Sequence, residues 1–217
     1  MRLNKYIAHA SGISRRSADR AIQEGRVKLN GQSVDLGQDV SPNDKVELDG
    51  EPLKLPSEHT TIILNKPPGY ICSRNKQGRS PTIYEILPAE LHDLKPIGRL
   101  DKMSRGLLLL TTDGDLAQKL THPKHAKRKI YLVVPHKELS SEDLERINAG
   151  VKLEDGISHL AIKPAGAMRY QIEMSEGRNR QIRRTLSSLG YEVVDLKRVE
   201  FGEHSLGELP EGEWSKL

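Results

Sequence analysis

The chain has 217 residues, with 34 Lys+Arg against 30 Asp+Glu and a formal charge of +4. Its one cysteine, Cys72, excludes an internal disulfide framework and a thiolate zinc site and fits a reducing cytoplasm. No apolar run reaches the ~18 residues of a membrane span, residues 1–12 lack the apolar centre of a signal peptide, and one Phe, one Trp and six Tyr are too few for an RNA-binding sheet that stacks several bases on aromatics.

Charge is laid out in blocks. Residues 1–34 hold seven Lys/Arg and two acids, residues 35–60 hold two Lys and seven acids, and residues 95–130 hold nine Lys/Arg and three acids. A basic block is either the footprint of a polyanion or a solvated surface, and patchiness alone does not choose.

Leu3, Ile7, Ala8 and Ala10 predict a short helix ended by Gly12. Ser14 caps a second, with Ala18, Ala21 and Ile22 inward, Arg16 and Arg20 one turn apart outward, and Gly25 as its left-handed stop. Arg26–Leu29 and Gln32–Val34 flank Asn30-Gly31, a pair that accepts the positive φ angles of a type I′ hairpin turn. Val40, Val46 and Leu48 suggest one more strand, closed by Asp49-Gly50. Two short helices and a basic hairpin, carried by Arg2–Ile7, Ser14–Ala18 and Gly25–Gly31, resemble the alpha-L RNA-binding motif of the S-four type. The resemblance implies that Arg2, Lys5, Arg15, Arg16, Arg20 and Lys28 meet RNA phosphates. An ordinary helix–hairpin cap with surface arginines is the alternative.

Residues 51–60, with two prolines and no sustained periodicity, read as a linker between a domain at 1–50 and a larger body at 61–217. In that body, Thr61–Leu64 is a short strand turned by Lys66-Pro67-Pro68-Gly69, residues 73–81 a polar, mobile loop, and Ile83–Leu87 a helical turn. Leu107–Leu110 is a buried strand, Asp115–Leu120 a helix, and Lys129–Val134 a strand. His122-Pro123-Lys124-His125 reads as a loop, since proline breaks any helix that would aim the two histidines at one metal. Ser140 with Asp143 forms a capping box for a helix ending at Gly150. Tyr170–Met174 alternates as a strand, Asn179 caps a helix carrying Ile182, Leu186 and Leu189, and Val193–Leu196 is a late strand. Helices and strands intermix without regular βαβ units, so the fold class is α+β.

Two segments carry candidate chemistry. In Gly98–Gly106 a lone acid, Asp101, stands beside Arg99, Lys102 and Arg105. Nearby positive charge keeps such a carboxylate ionised and available as nucleophile or base; a structural salt bridge is the alternative. In Gly177–Arg184, Arg180, Arg183 and Arg184 fall at i, i+3 and i+4, a like-charge spacing that an RNA phosphate or an active-site carboxylate would relieve. A helix face of snorkelling arginines is the alternative.

Lys66-Pro67, Gly98–Asp101, Gly106–Gly114, Lys129-Ile130-Tyr131 and Gly177–Arg184 occur in one order. That ordered set resembles the bacterial ribosomal RNA pseudouridine synthases of the RsuA type over about residues 1–200. The resemblance implies a catalytic body built on a mixed, largely antiparallel sheet with flanking helices, and uridine isomerisation without metal or cofactor. It places the catalytic aspartate at Asp101, the tyrosine that packs on the target base at Tyr131, and the basic partner of the aspartate at Arg183. Ile182, Arg99 and Leu100 would shape the pocket and its loop, and Lys66 and Pro67 would support the loop. Arg105, Arg178, Arg180 and Arg184 would add RNA contacts. Ser104 and Met103 depart from residues frequent in the family. The expected partner is ribosomal RNA, the large subunit favoured on general similarity, or a pre-ribosomal particle; the chain is expected to be a monomer and not to bind membranes. A non-catalytic RNA-binding assembly factor and a general RNA chaperone are the rival readings.

Overall fold

The computed structural model describes residues 1–122, 124 and 127–217. The reading of His122–His125 as a loop falls partly on Pro123 and His125, outside the described residues. The chain divides into two compact units, residues 1–60 with 112–114, and residues 61–111 with 115–217.

In the first unit, α1 (Leu3–Ser11) stops at Gly12 in the left-handed region, and α2 (Arg15–Gln23) starts at Ser14, whose Oγ accepts the Ser17 N–H at 3.0 Å. β1 (Val27–Leu29) and β2 (Gln32–Ser33) are joined by Asn30 and Gly31 at φ 53° and 81°. Those angles twist the turn to match its strands. β3 (Val46–Leu48) pairs antiparallel with β1, and β4 (Glu51–Leu53) with β3, in the order β2-β1-β3-β4. The start of the expected linker is therefore a strand. Pro52 is tolerated because β4 is an edge, where a missing N–H breaks no ladder. Leu3, Ile7, Ala18, Ala21, Ile22, Val27 and Val46 form this unit's core.

The second unit is organised by one sheet. Its strands are β5 (Thr61–Lys66), β6 (Lys95–Ile97), β7 (Arg105–Thr111), β8 (Lys129–Pro135), β11 (Ala161–Pro164), β12 (Tyr170–Met174), β13 (Val193–Phe201), β14 (His204–Ser205) and β15 (Trp214–Lys216), with a separate hairpin of β9 (Val151–Leu153) and β10 (Gly156–Ser158). The main order is β11-β12-β8-β13-β7-β5-β15, and only β13–β7 is parallel among its described pairs. The expected mixed, largely antiparallel α+β body is what the chain forms. Flanking helices are α3 (Gly114–Thr121), α4 (Ser141–Ala149) and α5 (Gln181–Ser187).

Leu107–Leu110 explain the sheet's burial. All four are fully buried; Leu108 and Leu110 face one apolar cluster with Ile62, Leu64 and Ile172, while Leu107 and Leu109 face another with Ile97 and Phe201. A strand covered on both faces reads as an unbroken apolar run.

Two helix starts differ from expectation. Ser140 caps α4, but its N–H goes to the Tyr191 hydroxyl and not back to Asp143, so the reciprocal half of the box is replaced by a tertiary bond. α5 begins after Arg180, itself left-handed at φ 47°; Asn179 lies outside the cap, and its carbonyl accepts from Arg184 Nε. Residues 73–81 contain no helix or strand beyond an isolated Gln77–Ser80 bridge.

Candidate active site

Asp101 sits on the loop between β6 and β7, in a turn closed by Ser104 N–H donating to the Asp101 carbonyl at 3.0 Å. Four successive carbonyls of this turn are held from outside. Lys66, at the end of β5 and fully buried, places Nζ 3.3 Å from the Asp101 oxygen, 3.2 Å from Lys102 and 2.7 Å from Ser104, and also 3.0 Å from Pro67. Gly69 N–H adds a bond to Lys102 O, and Arg183 Nη2 reaches Met103 O at 3.3 Å. Lys66 thus ties the backbone of the loop to the end of β5, with the Pro67 carbonyl as one more acceptor of its ammonium. Burial pushes the Lys66 ammonium down to about 8, with Cys72, Asp101 and Glu211 opposing. Leu100 is buried in the core with its backbone N and O each 3.4 Å from Cys72 Sγ, so the carboxylate is presented from an anchored stem while Arg99 is exposed.

The arginines around Asp101 are not equivalent. The ion pair to its carboxylate comes from Arg180 Nη1, 3.6 Å from Oδ2, and not from Arg183. Arg180's left-handed backbone turns its chain out of the helix line, which no spacing argument reveals. Arg183 Nη1 donates to Val193 O at 2.8 Å and Nη2 to Met103 O, fixing α5 against β13 and the Asp101 loop. Burial, then Arg180, push its guanidinium down, and Asp101 and Asp195 oppose. Arg183 thus supports the aspartate by backbone positioning and by field.

Three expected RNA contacts are committed to the protein. Arg105 makes two 2.7 Å bonds to Asp195 and a third to Glu211. Arg178 donates to Asp155, to Ile157 O and to Glu176, and Arg184 to Asp155 at 2.7 Å. The like-charge helix is relieved by Asp155 on the β9–β10 turn, far away in sequence.

A cleft of about 490 Å³ opens beside Asp101, within the roughly 300–1,000 Å³ of small-ligand pockets. Gly98–Asp101, Ser104, Arg180, Ile182 and Arg183 border one end. Its floor is one face of β8, β12 and β13: Tyr131, Met174, Leu196 and Arg198. Tyr131 is 9% exposed and Ile182 4%, so the ring and the aliphatic side chain form an apolar slot beside the carboxylate. Directly opposite Tyr131 in the β8–β13 ladder stands Arg198, whose side chain therefore leaves the sheet on the same face. No sequence signal marks Arg198, and the sequence assigns the pairing with Asp101 to Arg183 and not to Arg180. Arg198 lies in a strand that alternates ordinary residues, and its burial becomes visible only when β8 is laid against β13.

On the first unit, Arg15, Arg16 and Arg20 of α2 and Lys28 of β1 are exposed. Arg2 is drawn to the Gly37 carbonyl and pairs with Asp39 at 3.9 Å, and Arg15 lies 3.3 Å from Asn4 Oδ1.

Comparison with known proteins follows the same division. Residues 60–188 match the family model described as RNA pseudouridylate synthase, and residues 1–46 match the S4 domain. An uncharacterised RNA pseudouridine synthase of Aquifex aeolicus is 39% identical, covering all of this chain and 90% of that protein. The dual-specificity RNA pseudouridine synthase RluF of Escherichia coli K12 is 37% identical (all of this chain, 75% of that one), and the ribosomal large subunit pseudouridine synthase B of Bacillus subtilis 38% (all and 91%). A crystal structure of a pseudouridylate synthase superposes with a TM-score of 0.72 at 34% identity, covering all of this chain and 96% of that one.

Proposed function

Since the chain belongs to the RNA pseudouridine synthase family, in the branch that carries an S4 domain, we propose that it isomerises a uridine of ribosomal RNA to pseudouridine with Asp101 as nucleophile. The observation that carries this reading is the Asp101 carboxylate, 31% exposed at the mouth of the cleft, beside Arg180 and above the slot of Tyr131 and Ile182. The reaction breaks the bond from uracil N1 to the anomeric carbon, rotates the base, and joins C5 to that carbon; an Asp101 oxygen bonds transiently to the anomeric carbon or to the ring and is released again in the same cycle, while the C5 proton is lost and N1 gains one. It is balanced without any other reactant. An ionised oxygen nucleophile must survive in a closed pocket, and a guanidinium beside it offsets the cost of losing water.

The target base leaves its stack and enters the slot, at a few kcal/mol that backbone contacts offset. Tyr131 packs on the ring, and Arg183 keeps the loop in register. Residues 1–60 serve as the RNA-holding module and residues 61–217 as the catalytic body, and the B. subtilis relative favours large-subunit RNA as the substrate.

The test is Asp101→Asn in the full chain. Pseudouridine formation on ribosomal RNA, mapped nucleotide by nucleotide, should vanish while RNA affinity stays within a few-fold. Retained turnover would refute the assignment.

A further inference from the structure

The same cleft is also lined by Leu120, Lys127, Lys129 and Phe201, with Arg198 on its floor. Two cations of different strands meet there over one aromatic ring. The Arg198 guanidinium stacks 4.9 Å from the Phe201 centroid and Lys129 Nζ lies 5.6 Å from it. Arg198 is 2% exposed; its Nε donates to Leu107 O at 2.8 Å, and its buried Nη2 has no hydrogen-bond partner. Lys129 donates to the carbonyls of Lys127, Ser175 and Glu176.

Neither cation has a carboxylate within ion-pair distance among the described residues. Glu176, which lines the cleft beside them, has its carboxylate engaged by Gln181 and Arg178. Burial and the field of Arg198 both lower the pKa of Lys129, with Glu176 opposing. Buried positive charge without an anion is costly, and Asp101 is already paired with Arg180. A uracil carbonyl would satisfy one N–H but not the charge; an anion satisfies both.

We propose that Arg198 holds a phosphodiester of the RNA strand beside the target uridine, with the charge of Lys129, whose three protons already serve carbonyls, reinforcing the subsite. This rests on the uridine-isomerase reading above. Arg198 and Tyr131 face each other across the ladder, their Cβ atoms about 5 Å apart. A phosphate oxygen held by Arg198 and a base packed on Tyr131 thus belong to the same or the adjoining nucleotide. The guanidinium suits this role because it presents paired donors to phosphate oxygens. Arg198 lies outside residues 60–188, the part of the chain that matches the family model.

The experiment uses the full chain and a short RNA containing the mapped target uridine, with each nearby phosphate replaced in turn by a neutral methylphosphonate. With wild type, one replacement should lower kcat/KM by about 10- to 100-fold, the size of a lost charge-assisted hydrogen bond. With Arg198→Met that same replacement should cost less than about twofold, because the donor is already gone, and with Lys129→Met, which removes only the charge behind it, the replacement should cost less than in wild type. Arg198→Lys, which retains charge, should keep part of the sensitivity and guards against loss of fold in Arg198→Met. A flat scan with wild type while the unmodified RNA is turned over normally would overturn the subsite and leave the isomerase reading standing. Variants whose losses multiply equally with every replacement would overturn it too, assigning Arg198 to the base or the framework. Absence of pseudouridine in the unmodified RNA would overturn the isomerase reading itself.

Discussion

Replacing Lys66 by Met tests how the catalytic loop is held. Nζ stands 2.7–3.3 Å from four carbonyl oxygens, three of them on the Asp101 turn. An ammonium has three protons, so three bonds are made at once. Asp101 O keeps the Ser104 N–H and Lys102 O keeps the Gly69 N–H, so the change strands Ser104 O and Pro67 O, at ~1–3 kcal/mol each. Methionine is similar in length and carries no charge, so it also removes the penalty of burying the ammonium, which at a displacement from 10.5 to about 8 is about 3 kcal/mol. Two stranded carbonyls less that penalty leave a net change between a gain of about 1 and a loss of about 3 kcal/mol, so turnover rather than stability reports the brace most clearly. Turnover should fall further than stability requires, by about 100-fold at temperatures where the variant is folded, because a 1 Å shift of a reacting group has that effect.

Denaturant titration with single-turnover kinetics on a ribosomal RNA transcript measures both. The pH dependence supplies an internal check. A lysine whose folded pKa is below its unfolded value binds more protons when unfolded, so wild type should gain stability relative to Lys66→Met as pH rises from about 8 to 10.5, with no difference in slope below that window. Stability within 0.5 kcal/mol of wild type and turnover within about twofold would refute the brace, since surface-like substitutions have effects of that size.

Other expectations follow from individual contacts. Gly106→Ala should destabilise by about 2 kcal/mol or more in a thermal melt, because φ is 98° and an added Cβ would overlap the Arg198 carbonyl where β13 runs parallel to β7. Arg105→Met should cost about 1–3 kcal/mol of stability through loss of Asp195 pairing, while RNA affinity changes less than about threefold; a tenfold loss of affinity at fixed salt would return Arg105 to the RNA-contact set. Changing Arg15, Arg16 and Arg20 together to Gln should weaken RNA binding and reduce the slope of log affinity against log salt by about 2–3, one unit or slightly less per phosphate contact. An unchanged slope would show that α2 faces something other than phosphate.

What the sequence made legible was what local chemistry controls. The Ser14 cap, the Asn30-Gly31 turn and the Leu107–Leu110 strand each depend on a few adjacent residues, and each forms where expected. What stayed hidden depends on partners distant in the chain. β4 contains a proline that argues for a linker until its edge position is known. The strands β9 to β11 are short and mostly exposed, so they carry little periodicity. The capping box at Ser140 is incomplete because Tyr191, 51 residues on, takes the donor that Asp143 would have served.

The same distinction sorts the candidate site. Four arginines between 178 and 184 look interchangeable in sequence, yet they do three different jobs. Arg178 and Arg184 fasten Asp155, Arg183 fastens the Asp101 loop, and Arg180 pairs with the carboxylate itself. The sorting arises because α5 starts one residue after a left-handed Arg180 and because the β9–β10 turn delivers an acid to one side of the helix. Asp101 therefore meets a guanidinium that is half exposed, while the half-buried Arg183 is bound to backbone. If substrate displaces Arg180 toward phosphate, Arg183 is already in place to hold the aspartate's charge through the reaction. That predicts unequal variants: Arg180→Met should raise KM more than it lowers kcat, and Arg183→Met should lower kcat at nearly unchanged KM. The reverse pattern would make Arg180 the working partner of Asp101 and reduce Arg183 to scaffold.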